Sequence, residues 1–336
     1  MHHQESKKRS RRDVLRTMGL VAAAVPLASV LSCGDDAADD ADDAADDTGD
    51  ASTAADASAA ANTSASGDAA TSSGWATGGT AAMTALASYP NPFNTVVDMT
   101  CTPTCQLTLG PCHDDQAPER EDVSEGKSGL PMRFALRILD EDCKPVGDAD
   151  VDIWHCDALG VYSSETADNP GFCTGDNAEA LKARFFRGHR QTDESGVVWF
   201  NTCFPGWYSS RAIHVHFTVR RTSRQGDEYL TSQVAFPPSL ITELCGKHPD
   251  YASHGQPDTP NTSDTVFPSA DVDNYVMDTQ QMTDGALLAY KTIIIRSSLS
   301  NSVCSPSGAA GAGGPAGGMG APPGRPDGGL MPPPGA

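Results

Sequence analysis

The sequence predicts an all-β domain: an antiparallel β-sandwich core with long loops and few short helices, flanked by disordered N- and C-terminal segments. Three observations carry this. Hydrophobic residues recur with period two in several short runs, the pattern of strands with one face buried. The runs are punctuated by turn residues from a pool of 32 Gly and 24 Pro, which break regular structure. Helical periodicity is confined to two brief stretches, around Ala178–Ala183 and Pro238–Cys245. Short strands joined by such turns favour a sandwich or barrel.

In chain order, Met132, Phe134, Leu136 and Ile138 alternate with Arg133, Ala135 and Arg137. Ala149, Val151 and Ile153 alternate with Asp150, Asp152 and Trp154 to give a second strand. Val197–Phe200 follows the turn Asp193-Glu194-Ser195-Gly196. Ile213, Val215, Phe217 and Val219 alternate with His214, His216 and Thr218, and further strands fit Leu230–Phe236 and Lys291–Arg296.

The flanks differ in composition. Lys7, Lys8, Arg9, Arg11 and Arg12 precede an apolar stretch from Met18 to Leu31, and Ser10–Arg16 resembles a twin-arginine export signal. Val30-Leu31-Ser32-Cys33 resembles a lipobox, so residues 1–33 are expected to be a signal and Cys33 a lipid anchor to a membrane. The segment 34–90, nearly all Asp, Ala, Ser, Thr and Gly up to residue 80, is expected to be an acidic tether. The foldable domain is expected over 91–304, and 305–336 is a Gly/Pro-rich tail. The formal net charge of -21 repels phosphate and argues against nucleic acid as a partner. Ten Cys fit an oxidising compartment. With Cys33 lipidated, nine remain, so at least one thiol lacks a partner within the chain. Loop-to-loop disulfides are preferred over a zinc site, because the Cys101, Cys105 and Cys112 spacing matches no familiar one. The pairing and the oligomeric state are not legible.

The chemistry-bearing feature is His214-Val215-His216. On a strand, residues two apart project from one face, so the imidazoles converge while Val215 enters the core. Such a pair is a metal-ligand candidate or a structural pair. Tyr208 follows the Pro205-Gly206 turn, and Tyr162 follows Trp154-His155-Cys156-Asp157-Ala158-Leu159-Gly160-Val161. Each Tyr alone reads more readily as a packed aromatic with its hydroxyl hydrogen-bonded than as a ligand. Phenols keep their proton at neutral pH unless a strong Lewis acid intervenes. Ferric iron is hard enough to hold two phenolates with two imidazoles.

From about Leu107 to Phe236 the sequence resembles the intradiol ring-cleavage dioxygenases, ferric enzymes related to catechol and protocatechuate dioxygenases. The resemblance runs through Gly110-Pro111, Pro131–Asp140, Asp150–Tyr162, Arg187–Asp193, Pro205–His216 and Thr231-Ser232-Gln233. It implies Fe(III) held by Tyr162, Tyr208, His214 and His216, with Tyr208 and His216 axial. A catechol-type substrate would displace Tyr208 and be opened by O2 between its two hydroxyl-bearing carbons, giving a cis,cis-muconate-type product. Arg211 would stabilise developing negative charge, and Gln233 would orient the reacting species. The short gap from Tyr208 to His214 is similar to the family's exported, lipoprotein-type branch. Cys112 stands where the family usually has an aromatic residue, and that departure, with inserts at Thr166–Ala180 and His248–Asn274, leaves the substrate open. His155 reads as structural, His189 as a substitution without chemistry, and His248 and His254 as solvated. A reading from another class is a non-catalytic cell-surface module, its His pair holding copper or zinc or binding a partner. A scaffold that has lost activity is a third.

Overall fold

The computed structural model describes residues 74–94 and 100–306. The expected export signal, the lipid-attachment Cys33, the tether up to residue 73 and the tail from 307 lie outside the described residues.

Among the described residues, eight strands form two four-stranded sheets: β1 (Pro131–Asp140), β2 (Ala149–Trp154), β3 (Arg187–Gln191), β4 (Val197–Cys203), β5 (His214–Arg221), β6 (Glu228–Ala235), β7 (Asp278–Gln281) and β8 (Leu287–Ile295). The spatial orders are β4-β1-β8-β7 and β3-β2-β5-β6. The runs read as strands in the sequence all fall on strands. β3 and β7 carry too little alternation to be seen that way: Arg187–Gln191 has no apolar side chain, and neither has Asp278–Gln281. The short helices at Ala178–Lys182 and Pro238–Lys247 coincide with the helical stretches of the sequence.

One pairing departs from a purely antiparallel sandwich. β1 and β8 run parallel, in register from Met132 opposite Leu287 to Asp140 opposite Ile295. Parallel neighbours need a crossover connection, and here most of the domain separates the two strands.

The sheets bury one core. Phe134, Leu136, Ile138 and Phe200 from the first meet Val151, Ile153, Val215 and Phe217 from the second, all at 1% exposure or less. Each such side chain contributes about 1.5–3 kcal/mol by leaving water. The outward face of the second sheet is also buried but polar. Arg187, Trp154, His216 and Gln233 stand directly opposite one another across β3, β2, β5 and β6. That row is the floor of the site.

The folded unit starts earlier than residue 91. Residues 74–94, mostly placed in the tether by composition, pack on the first sheet. Met83 joins Met282, Ala286 and Leu288, with Leu86 and Tyr89 against them. The Ala76 N–H donates to the Gly285 carbonyl at 2.9 Å, and Trp75 Nε1 donates to Glu243 at 3.1 Å. Average composition conceals these few apolar anchors among Ala, Gly and Thr.

Among the described residues, three disulfides join Cys101–Cys143, Cys105–Cys304 and Cys112–Cys173. Cys156, Cys203 and Cys245 are free and buried. No helix among the described residues is long and apolar enough to cross a membrane.

Candidate functional site

β5 turns His214 and His216 outward on the polar face, and two loops carry the tyrosines to them. The His214 and His216 Nε2 atoms are 3.1 Å apart. The hydroxyls of Tyr162 and Tyr208 each lie 3.4 Å from His214 Nε2. All four side chains are at least 95% buried. His214 Nδ1 donates to the Ala212 carbonyl at 2.6 Å, which leaves its Nε2 lone pair facing the phenols. His216 stacks on Trp154, with centroids 4.9 Å apart and planes 10° from parallel.

Two glycines allow this closeness. A Cβ on Gly110 (φ +77°) would sit 3.1 Å from His216 Cε1, so the 107–112 loop covers that ring only without a side chain there. A Cβ on Gly160 (φ +82°) would sit 2.2 Å from the Trp207 carbonyl oxygen, where the two tyrosine loops touch. Gly160→Ala is therefore expected to destabilise the fold by at least ~2 kcal/mol, measured by urea denaturation.

Electrostatically the centre is neutral. Burial, reinforced by Arg211, pushes His214 down to about 3. Burial and neighbouring His214 push His216 well below the ordinary imidazole value. Burial, then the facing Tyr208, raises Tyr162 well above the ordinary phenol value. Burial raises Tyr208 too, although Arg211 opposes it. Two neutral imidazoles and two protonated phenols thus share one dry site. The set of two nitrogen lone pairs and two displaceable phenol protons fits a hard, highly charged cation. Among the described residues, no group of three or more His, Cys, Asp or Glu offers another such cluster.

Arg211 and Gln233 lie beside these four. Arg211 is 2% exposed; its Nε donates to Asp264 at 2.9 Å and its Nη2 to Gln233 Oε1 at 2.5 Å. Gln233 Nε2 donates to the Thr108 carbonyl at 2.8 Å. Burial alone would raise the Asp264 carboxyl, but Arg211 and the Ala212 N–H beside it outweigh that and hold it low. Asp264 lies inside the 248–274 insert, where no local pattern marks it. Arg187 is a second buried cation that sequence reasoning left without a role. It donates to Ser163 and the Cys112 carbonyl and lies 5.9 Å from the Tyr162 ring centroid.

The remaining histidines divide. His155 points to the core side, donates from Nδ1 to the Cys156 carbonyl at 2.8 Å and accepts from Thr202 at 2.7 Å. His189 pairs with Asp150 at 2.7 Å, away from the four donors. His248, expected in solvent, is 3% exposed and donates to the Ala76 carbonyl of the packed N-terminal strap. His254 is half-buried, bonded to the Trp207 carbonyl at 2.9 Å.

Burial depresses His155 to about 4. Its folded value lies below the unfolded one, near 6.5, so its stabilisation is complete above pH 6.5 and lost as pH falls towards 4. About 2 kcal/mol should disappear between pH 7 and pH 5. His155→Gln should flatten the stability–pH curve in that window by about one proton.

Residues 107–242, which span all six candidate residues, match the family model described as Dioxygenase. A dioxygenase crystal structure superposes with a TM-score of 0.51 at 25% identity, covering 58% of this chain and 95% of that one. Over these residues the chain is similar to intradiol ring-cleavage dioxygenases. The intradiol ring-cleavage dioxygenase of Tetranychus urticae has the same fold, with a TM-score of 0.50 at 24% identity over 58% of this chain and 95% of that one. The 6-chlorohydroxyquinol 1,2-dioxygenase of Cupriavidus pinatubonensis is 27% identical over 168 residues, 41% of this chain. The match spans 56% of that relative's length. Within this matched region, the two tyrosines and two histidines that the resemblance singles out meet at the outward face of β5.

Proposed function

We propose that the chain is a non-haem Fe(III)-dependent intradiol dioxygenase that opens catechol-type rings with O2 between the hydroxyl-bearing carbons, giving cis,cis-muconate-type products. The observation that carries this is the convergence of Tyr162, Tyr208, His214 and His216 on one buried point, the other three donor atoms lying 3.1–3.4 Å from His214 Nε2. These four side chains would hold the ion. When bound, ferric iron supplies Lewis-acid activation of the catechol and of its reaction with O2.

The rest is the work of the chain's own groups. Burial makes the Tyr208 oxygen a strong enough base to keep a catechol proton at neutral pH once it is free to take one. Tyr162, raised well above the ordinary phenol value by burial and then by the facing Tyr208, holds its proton more tightly. Arg211 stays cationic: burial disfavours its charge, but Tyr208 and Asp264 more than restore it. That fixed charge, aimed by Asp264 and Gln233, stabilises negative charge developing on the ring without reorganisation. Trp154 and the 107–112 loop exclude water.

The same proposal includes export and lipid anchoring through Cys33. Three disulfides among the described residues support an oxidising compartment.

The test is an optical spectrum of iron-loaded protein, followed by oxygen uptake with catechol. A visible phenolate-to-iron band, one O2 consumed per catechol and a muconate-type product are expected. Chelation should abolish all three and ferric iron restore them. Colourless, iron-replete protein that leaves catechols intact would overturn the proposal. A copper or zinc module would retain its metal when both tyrosines are replaced by Phe.

A further inference from the structure

The hairpin that carries both histidines also reaches the loop that covers them. β5 holds His214 and His216 at its start, and its other end turns into β6 through residues 222–227. The register shifts between Val219, which faces Leu230, and Arg220, which faces Glu228, so an extra residue bends the pair there. The Gly226 N–H donates to the Ser223 carbonyl at 2.8 Å and closes a turn with Arg224 at its tip. Thr222 sits at φ +76°, a left-handed conformation that a β-branched residue adopts only at a cost in free energy.

Arg224 ties this tip down. Its Nη1 lies 2.8 Å from Asp152, its Nε donates to the Asp115 carbonyl and its Nη2 to the Asp114 carbonyl, both at 3.0 Å. Only 11% of its side chain is exposed. One planar guanidinium thus joins β2 to the 107–115 loop. Asp152, 1% exposed, also accepts from His113 Nε2 at 3.3 Å. His113 in turn sets its ring against the Trp154 indole, with centroids 4.7 Å apart and planes at 66°. His216 is stacked on that same indole. Towards its other end the loop meets His216 directly, at Gly110. The Asp114 carboxylate accepts from the hydroxyls of Ser164 and Thr166, just past Tyr162.

The two histidines are held in different ways. His214 is oriented by its Nδ1 bond to the Ala212 carbonyl, whereas His216 Nδ1 is buried and has no hydrogen-bond partner among the described residues. A ligand imidazole is ordinarily aimed by such a bond. For His216 the aim comes from packing, against the Trp154 face and the Gly110 backbone. Both supports depend on the loop that Arg224 pins: His113 props the indole, and Gly110 lies within the loop itself.

We propose that Arg224 is a positioning residue for the four-donor centre, latching the 107–115 loop so that His113 and Gly110 keep the His216 imidazole in the orientation a metal ligand needs. The latch deepens the ring-cleavage reading and rests on it for the identity of the ion, yet its first test uses iron-free protein.

The experiment follows the histidine Cε1–H resonances of the full chain by NMR, first without metal, with His216 assigned by its loss in His216→Gln. The stacked indole should hold the His216 resonance away from the ordinary imidazole position. Arg224→Ala should move it towards that position, while the resonance of His155, on the core side, stays in place and reports an intact fold. Arg224→Lys keeps a cation beside Asp152 but lacks the planar fork that reaches both carbonyls, so it should move the His216 resonance too, and it carries the test should the Ala variant not fold. Chelator competition for ferric iron should then show a loss of affinity of about 10–100-fold in Arg224→Ala, the range for removing a group that supports a ligand. Adding His113→Ala should leave affinity within ~2-fold of the weaker single variant, because groups acting in series do not multiply their losses. An unmoved His216 resonance in folded Arg224 variants would overturn the proposal. So would wild-type signal and affinity in Arg224→Lys, or losses that multiply in the double variant. A resonance that moves as expected in a chain whose wild type binds no ferric iron would instead overturn the ring-cleavage reading and leave the latch standing.

Discussion

Tyr162→Phe and Tyr208→Phe are each expected to lower catechol cleavage at least ~100-fold, since even groups that only support metal ligands are worth about 10–100-fold. The single variants should shift the visible band, and the double variant should abolish it. Stability without iron should barely change. Each substitution removes a buried hydroxyl whose contact with the His214 Nε2, 3.4 Å away, is weak. That separates loss of a ligand from loss of the fold. The pH dependence of iron loading should agree. Both imidazoles are neutral across the neutral range, whereas both phenols retain protons. Loading should therefore release about two protons per ion and strengthen as pH rises. Potentiometric titration during ferric addition checks the number; variants that keep colour and rate would remove the phenols from the centre.

Arg211→Ala should damage both stability and turnover. It leaves Asp264 as an unpaired buried carboxylate and strips Gln233 of its donor. Breaking a buried pair by removing one partner costs about 3–5 kcal/mol. Loss of one preorganised charge at a reacting centre costs about 100-fold or more in rate. The two effects are separable. Arg211→Met with Asp264→Asn removes the stranded charge, so urea denaturation should show much of the stability restored. Turnover should stay low, because the cation is still missing. Recovery of both together would reduce Arg211 to a structural role.

Much of this site is local information. His214 and His216 share a face because a strand alternates, and β5 is visible as a strand from Ile213 to Val219. Tyr162 and Tyr208 are reached through short motifs ending in turns, where Gly160 and Gly206 occupy positions that a Cβ would obstruct. Gln233 came from the family resemblance, and the structure stands it opposite His216 across β5 and β6. By contrast Arg187 sits on a strand too polar to show a period, so its burial beneath Tyr162 gave no advance sign.

The sequence by itself determined the strand runs, the two-sheet class and the acidic flank, because each is written in neighbouring residues through backbone periodicity and composition, whereas the set of four donors came from the resemblance to a family. The tertiary structure alone decided that Arg211 pairs with Asp264, 53 positions away, that Cys112 joins Cys173, and that β8 lies parallel to β1. It also decided that residues 74–94 pack as a strap. Those outcomes depend on the path of the chain through space and on which buried groups it leaves needing partners, neither of which a local pattern encodes.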